Sequence, residues 1–248
     1  AAQEYCVPGS TDYCAPPVAE WNFEEGAGTS AYDISGNENT GYIEGTGNNY
    51  YVKGKNGKAI RCANPGKYIR IPDSLSQSFT NALTIELFFN QFDSSGGQNL
   101  FAKQSGWDYL MEIWNGGGID FYLNGAYKGS SSNFARNVWH HIGLVFQRPE
   151  IKLYLDGKLD KTNTNDSDLY DSTGDLFIGA YTQYGRFFNG LIDDFRIYNY
   201  ARTPAQIAWD YNRGAPVGWW RFDECQGTVA HDVSGNNLNG AINIGATA

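Results

Sequence analysis

Three groups of residues in this chain have the types and spacing to do chemistry. The first is the turn "DISGN", where Asp33, Ser35 and Asn37 offer side-chain oxygens at alternate positions around Gly36. Flexible, oxygen-rich loops suit Ca²⁺, which takes roughly six to eight hard ligands and accepts backbone carbonyls among them. The same spacing also suits an Asx-turn in which Asp33 bonds its own backbone, and the residues alone leave both readings open. The second group is aromatic. "SGWDYLMEIW" supplies Trp107, Tyr109 and Trp114, and "GAYTQYGRFF" supplies Tyr181, Tyr184 and Phe187 beside Arg186. A flat ring covers the apolar face of a pyranose while neighbouring polar groups bond its hydroxyls, so both stretches are candidate carbohydrate-binding surfaces. Strand alternation puts Trp107, Tyr109, Met111 and Ile113 on one face, which turns Tyr109 toward a core, and Trp114 on the other.

The third group is the cysteines. Four Cys without a CxxC pair fit disulfides better than zinc. "CVPGSTDYC" places Cys6 and Cys14 where a local bridge closes a short loop, leaving Cys62 and Cys225 to bond each other or to remain free. His140 and His141 are adjacent, and neighbours on a strand point to opposite faces, so they cannot grip one ion together; a structural role is expected. "TNTNDSDLYDSTGD" lacks the spacing of a calcium-binding EF-hand loop and reads as a solvated polar loop.

The elements that must position these groups are short strands. Runs such as "KYIRI", "LTIELFFNQF", "DYLMEIW", "GIDFYL", "HHIGLVF", "IKLYLDG" and "GLIDDFRIYNY" bunch or alternate β-branched and aromatic residues between Gly, Asn, Asp and Pro. Asn124-Gly125 and Asp156-Gly157 suit two-residue hairpin turns. A spacing of about ten residues per strand, without helical periods between them, predicts an all-β antiparallel sandwich. One short helix is expected near the C-terminus, where Thr203-Pro204-Ala205-Gln206 offers a capping hydroxyl, Pro at the first helical position and Gln at the third.

Composition limits the functions. The net charge of −9 cannot neutralise a row of phosphates, which argues against nucleic acid. No stretch reaches the roughly 18 apolar residues of a membrane span. The opening "AAQEYCVPG" suits a mature end left after signal cleavage, and with the cysteines it predicts a secreted or cell-surface protein.

The chain also repeats itself. "WNFEEGAGTSAYDISGN" from Trp21 and "WRFDECQGTVAHDVSGN" from Trp220 align without gaps at an offset of 199 residues, and about half the positions from Pro17 to Glu44 recur. A separation of one domain length marks a domain-scale repeat.

The opening stretch through "ENTGYI", the hairpin "VWHHIGLVFQRPEIKLYLDGKL" and the closing "FNGLIDDFRIYNYARTPAQIAWDY" together resemble bacterial laminin G-like, concanavalin A-like domains, in family order, from roughly Val18 to Asn212. The resemblance implies a jelly roll of two curved sheets, with Trp21 and Trp139 in its core. It implies binding of carbohydrate or protein partners outside the cell, often with a structural calcium. It also implies that the "DISGN" turn lies close to the last strand, which adds Asp193 and Asp194 to the candidate metal ligands. Glucan-cleaving relatives resemble one another in an E-x-D-x-x-E strand. Here Glu86, Glu112 and Asp120 are the acidic strand residues; Glu86 and Glu112 could face each other across a sheet, yet neither has a same-strand carboxylate two to four residues on. The expectation is a non-catalytic module for a polysaccharide or glycan, stabilised by Ca²⁺. The alternatives are a protein-binding adhesion or scaffold domain of a multidomain surface protein and, last, a glycoside hydrolase. Residues 1–16 are then the Cys loop, 17–214 the jelly roll, and 215–248 the opening of a second repeat. That opening either packs on the first domain, which would allow a Cys62–Cys225 bridge, or pairs with a neighbouring chain.

Overall fold

The computed structural model describes residues 5–46, 50–63, 66–93, 96–104, 108–114, 117–212, 218–224, 226–233 and 238–243. Two eight-stranded antiparallel sheets face each other. The first runs, edge to edge, through Lys158–Thr164, Glu150–Leu155, His140–Gln147, Ala82–Gln91, Gly190–Tyr198, Lys58–Cys62 and Tyr51–Lys53, with Ala19–Trp21 also paired to Gly190–Tyr198. The second runs through Ala126–Ser130, Ile119–Leu123, Tyr109–Ile113, Gln98–Lys103, Leu176–Ile178, Tyr68–Ile71, Gly41–Glu44 and Ser30–Ala31.

The core lies between the sheets and follows from alternation. Leu83, Ile85, Leu87 and Phe89 point inward from one central strand and meet Phe101, Met111, Ile113 and Phe121 from the other sheet. The fully buried Trp21 and Phe195 rings lie edge to face, 5.9 Å apart. Trp139 departs from expectation: it precedes the His140–Gln147 strand and is only half-buried. Both expected hairpin turns form. Asn124-Gly125 and Asp156-Gly157 have φ of 53° and 70°, and 51° and 72°, the left-handed values that tight two-residue connections need. Lys158–Thr164, the strand that the Asp156-Gly157 hairpin requires, is an almost wholly exposed, mostly polar edge strand, carried by the hairpin rather than by its own pattern.

The helix spans Pro204–Asn212. Its capping box is closed in both directions: the Thr203 N–H donates to Gln206 Oε1 at 2.8 Å, and the Gln206 N–H donates to Thr203 Oγ1 at 3.4 Å. Ile207 docks it on Val145 and Tyr154. Beneath it lies a buried ionic network in which Arg202 meets Glu86 at 3.0 Å and also Asp210, while Arg196 meets Glu20 at 2.7 Å. The Cys6–Cys14 disulfide forms as expected. Its loop is tied to the same region: Arg202 donates to the Tyr5 carbonyl at 3.3 Å and Gln206 Nε2 to the Tyr13 carbonyl at 2.8 Å. Cys62 is a free, fully buried thiol, pushed up to about 12 by burial. Cys225, the partner considered for it, lies outside the described residues.

Candidate functional site

Two places in the fold concentrate chemistry. The first is on the outer face of the second sheet. Because Met111 and Ile113 enter the core, Glu112 and Leu110 must point the other way. Leu110 packs there with Ala102 and Tyr181, and Tyr122 lies against them. The two-stranded excursion Ala180–Tyr181 with Arg186–Phe187 folds over this face and carries Arg186 to Glu112.

The result is a recess of about 140 Å³ lined by Leu110, Glu112, Trp114, Tyr122, Tyr181 and Arg186. Glu112 anchors it from below, with a side chain only 3 % exposed. One carboxylate oxygen is salt-bridged to Arg186 and the other accepts from Trp114 Nε1 at 2.7 Å. The guanidinium carbon of Arg186 lies 4.5 Å from the Trp114 ring centre and 5.4 Å from that of Tyr184. Trp114 is 39 % exposed and Tyr184 is 52 % exposed, so both rings offer area to a ligand. Asp120 is the cross-strand partner of Glu112. Burial raises its pKa, Ser130 offsets part of that, and the Glu112 charge adds to the rise. Burial and a hydrogen bond to Glu112 likewise raise the Tyr122 phenol.

Of the aromatic candidates, Trp114, Tyr181, Tyr184 and Arg186 therefore come together. Tyr181 is a buried wall rather than an exposed platform. Phe187 turns away and stacks on Tyr68 at 5.9 Å, on the far side of the small hairpin. Trp107 lies outside the described residues. Glu112, Asp120 and Tyr122 were not expected in a binding site; an outward-facing acid in "LMEIW" becomes legible only once Arg186 is seen above it. Glu86 and Glu112 do not face each other. They lie in different sheets, and each points outward, because their strand neighbours Ile85 and Met111 both enter the core.

The second place is the set of proposed metal ligands, which resolves into two clusters. Asp33 is saturated by N–H donors: Oδ1 accepts from the Glu20 and Ser35 backbone at 3.0 and 2.9 Å. Oδ2 accepts from the Asn39 backbone and amide at 3.0 and 2.7 Å. Ser35 Oγ and Asn37 Nδ2 both donate to the Val18 carbonyl. Four donors on one carboxylate leave a cation no lone pairs to take, so this turn does not fit a metal.

Asp193 is different. A break in register between Asp193 and Arg196 in the Gly190–Tyr198 strand places Asp194 at φ 48°, and bulges of this kind re-aim side chains. Asp193 is fully buried; Oδ2 accepts from the Asn56 N–H at 2.9 Å, and Oδ1 has no hydrogen-bond partner. Burial and the Asp194 charge raise its pKa to about 7. The turn at residues 54–57 wraps it so closely that a Cβ on Gly54 would lie 2.6 Å from Asp193 Oδ2, and a Cβ on Gly57 would strike Glu24. Among the described residues, no three His, Cys, Asp or Glu side chains converge closely enough to hold a metal by themselves.

His140 and His141 occupy opposite faces. His140 bonds Asp156 at 2.8 Å and the Ala135 carbonyl at 2.9 Å, while His141 meets Glu86 at 3.2 Å. Among the described residues, no helix is long and apolar enough to cross a membrane.

A family model described as the concanavalin A-like lectin/glucanases superfamily, laminin G type, matches residues 63–208. Among curated proteins no match to the sequence is found. Solved structures do share the fold. The binding domain of Paraclostridial Mosquitocidal Protein 1 is 17 % identical with a TM-score of 0.67, over 80 % of this chain and 52 % of that one. Domain 4 of AbnA, an extracellular arabinanase of Geobacillus stearothermophilus solved with arabinotriose, is 23 % identical with a TM-score of 0.63, over 79 % and 98 %. The botulinum neurotoxin serotype D ligand-binding domain, solved with N-acetylneuraminic acid, is 13 % identical with a TM-score of 0.63, over 82 % and 52 %. The chain thus spans about half the length of the toxin binding domains. The two toxin neighbours are binding domains, and the fold is what this chain shares with all three.

Proposed function

The chain belongs to the concanavalin A-like lectin/glucanase superfamily, and from that premise we propose that it is a non-catalytic extracellular module that binds a neutral polysaccharide or glycan at the Glu112–Arg186 recess. The observation that carries this reading is the clamping of Arg186 between two exposed rings, Trp114 and Tyr184, by a buried carboxylate beneath. A guanidinium held this way has lost its rotamer freedom before a ligand arrives, so its remaining N–H groups meet sugar hydroxyls at low entropic cost. The rings supply the apolar platforms that a pyranose or furanose face covers. Glu112 and Asp120 outweigh Arg186 in charge, so the recess repels a carboxylated sugar and suits a neutral one. Arabinotriose in the arabinanase domain is a ligand of the favoured kind, and N-acetylneuraminic acid in the neurotoxin domain is of the disfavoured kind. The placement of Glu86 and Glu112 in different sheets, each pointing outward, supports binding without hydrolysis, because these two carboxylates cannot flank one glycosidic bond.

The cation part of the reading moves from Asp33 to Asp193. Its unpartnered oxygen and the adjacent buried Asp194 carboxylate are hard oxygens of the kind that Ca²⁺ takes, with the rest of its shell left to backbone carbonyls and water. A cation there would neutralise adjacent buried carboxylates and fix the turn. The disulfide supports an oxidising, extracellular setting.

The test is titration calorimetry with neutral arabino-, xylo- and gluco-oligosaccharides against a sialylated oligosaccharide. Binding of a neutral oligomer that disappears with Trp114→Ala, without release of reducing ends, supports the proposal. Preference for the sialylated ligand, or affinity unchanged by Trp114→Ala, overturns it.

A further inference from the structure

One row of side chains crosses the outer face of the second sheet, and it does not end at the recess. Ala102 pairs with Leu110, Leu110 with Tyr122, and Tyr122 with Tyr127. Each step lies one strand further from the Ala180–Phe187 excursion, by about 4.8 Å. The lining of the recess stops at Tyr122. Tyr127 lies beyond it, 56 % exposed, with its ring edge-on to that of Tyr122 and 5.5 Å between their centres.

Tyr127 takes this place because of a β-bulge. Asp120 is opposite Ser130 and Phe121 is opposite Gly129, so regular pairing would set Lys128 opposite Tyr122. Instead Lys128 is the extra residue, and Tyr127 stands where it would have been. Two features fix the bulge. Gly129 holds φ 142°, and a Cβ there would lie 3.1 Å from the Phe121 ring. The Lys128 carbonyl accepts from Asn163 Nδ2, which reaches across from the edge strand of the first sheet. A flat ring thus replaces a flexible cation in the row.

The polar groups between this ring and the recess are arranged to accept. Ile119 and Phe121 enter the core, so Asp120 points outward beside its cross-strand partners Glu112 and Ser130. The Ser130 hydroxyl donates to Asp120 Oδ1. Its single proton is then used, so the Tyr127 hydroxyl donates to Ser130 Oγ at 2.7 Å. Lone pairs stay open on the Tyr127 oxygen, and Asp120 Oδ2 accepts no hydrogen bond among the described residues. A ring flanked by open acceptors suits the apolar face and the donating hydroxyls of a sugar.

We propose that the glycan site is an extended cleft, in which Trp114 and Tyr184 hold one end of a linear neutral oligosaccharide and Tyr127 is the platform for a sugar ring further along the same chain. This rests on the recess being the glycan site. Tyr127 is level with Leu110 through Tyr122. It therefore lies four residues back along the strand direction from Trp114 and two strands away, roughly 13 Å along and 10 Å across. A disaccharide seated on Trp114 falls short of Tyr127, whereas a tetrasaccharide spans the distance. Tyr127 is then the residue that selects for chain length.

The test is titration calorimetry on the full chain with the disaccharides and tetrasaccharides of the linear arabino, xylo and gluco series. In the series that binds, the tetrasaccharide is expected to bind about tenfold more tightly than the disaccharide. Tyr127→Ala is expected to reduce that ratio to the small statistical gain of a longer ligand, with the disaccharide affinity unchanged. Tyr127→Phe keeps the ring and is expected to keep most of the ratio. Trp114→Ala is expected to weaken both ligands. Tyr127 is exposed, so an unchanged melting midpoint verifies that its variants are folded. Equal affinity of the unmodified chain for the two lengths, or a ratio that survives Tyr127→Ala, overturns the extended cleft. Weakening of both ligands by Trp114→Ala then leaves the recess itself standing. Failure of every oligosaccharide to bind overturns both.

Discussion

Arg186 lies flat against Trp114, its guanidinium carbon 4.5 Å from the ring centre, although 72 residues of chain separate them. Glu112 fixes both partners at once, by salt bridge and by hydrogen bond. Three side chains thus form one rigid unit at the rim of a recess, and rigid aromatic-arginine units concentrate binding energy.

Trp114→Ala and Tyr184→Ala each remove an exposed platform without opening the core. Each is expected to lower glycan affinity about tenfold, or about 1.4 kcal/mol, with the melting midpoint nearly unchanged. Calorimetry and differential scanning fluorimetry on the same preparations check both halves.

Arg186→Ala leaves Glu112 buried with the neutral donors Trp114 and Tyr122 but without its cation. The cost to folding is expected to approach roughly 3 kcal/mol, the lower end for an uncompensated buried partner, because Arg186 is itself partly solvated. Adding Glu112→Gln should recover most of it. Urea unfolding of the two single variants and the double variant forms the cycle that measures the coupling.

Asp193 makes the metal-free protein sensitive to pH in an unusual direction. Its folded pKa of about 7 exceeds the unfolded value of 3.8, so the folded state binds more protons between them. Its contribution is therefore fully present below pH 3.8 and is lost as the pH rises toward 7. In EDTA, Asp193→Asn should flatten that slope and raise the midpoint at pH 8. Saturating calcium at one hundred times its dissociation constant should stabilise the unmodified chain by about 2.7 kcal/mol and leave Asp193→Asn unmoved. Asp33→Ala should lower the starting stability yet keep the calcium increment. A calcium increment lost with Asp33→Ala and kept with Asp193→Asn would return the site to the "DISGN" turn.

Arg202 ties the Cys loop, the helix and the first sheet together through Tyr5, Asp210 and Glu86. Arg202→Met strands two buried carboxylates and is expected to cost roughly 3–5 kcal/mol. Limited proteolysis should then cut near residues 7–13 faster than in the unmodified chain. Cutting at an unchanged rate would show that the disulfide alone holds the loop.

The sequence by itself determined the periodic features. Alternating apolar runs produced the central strands, the two Asx-Gly dipeptides produced their hairpins, and Thr203-Pro204-Ala205-Gln206 produced a closed capping box. These outcomes follow from local sterics and from which face of an element is apolar, and a linear pattern carries that information. The polar edge strand Lys158–Thr164 was legible only through the Asp156-Gly157 turn before it, because its hydrogen-bond partner, not its composition, makes it a strand. Tertiary structure alone decided the sites. The "DISGN" oxygens read equally as ligands or as turn-makers until the donors around Asp33 were in place. Trp114 and Arg186 were candidates in separate stretches, and Glu112 was weighed only as a partner of Glu86 in hydrolysis, not as their anchor. Only the folding of the Ala180–Phe187 excursion onto the sheet put a buried negative charge under a guanidinium and two open rings beside it. Charge pairing and burial depend on neighbours distant in sequence, and sequence spacing does not report them.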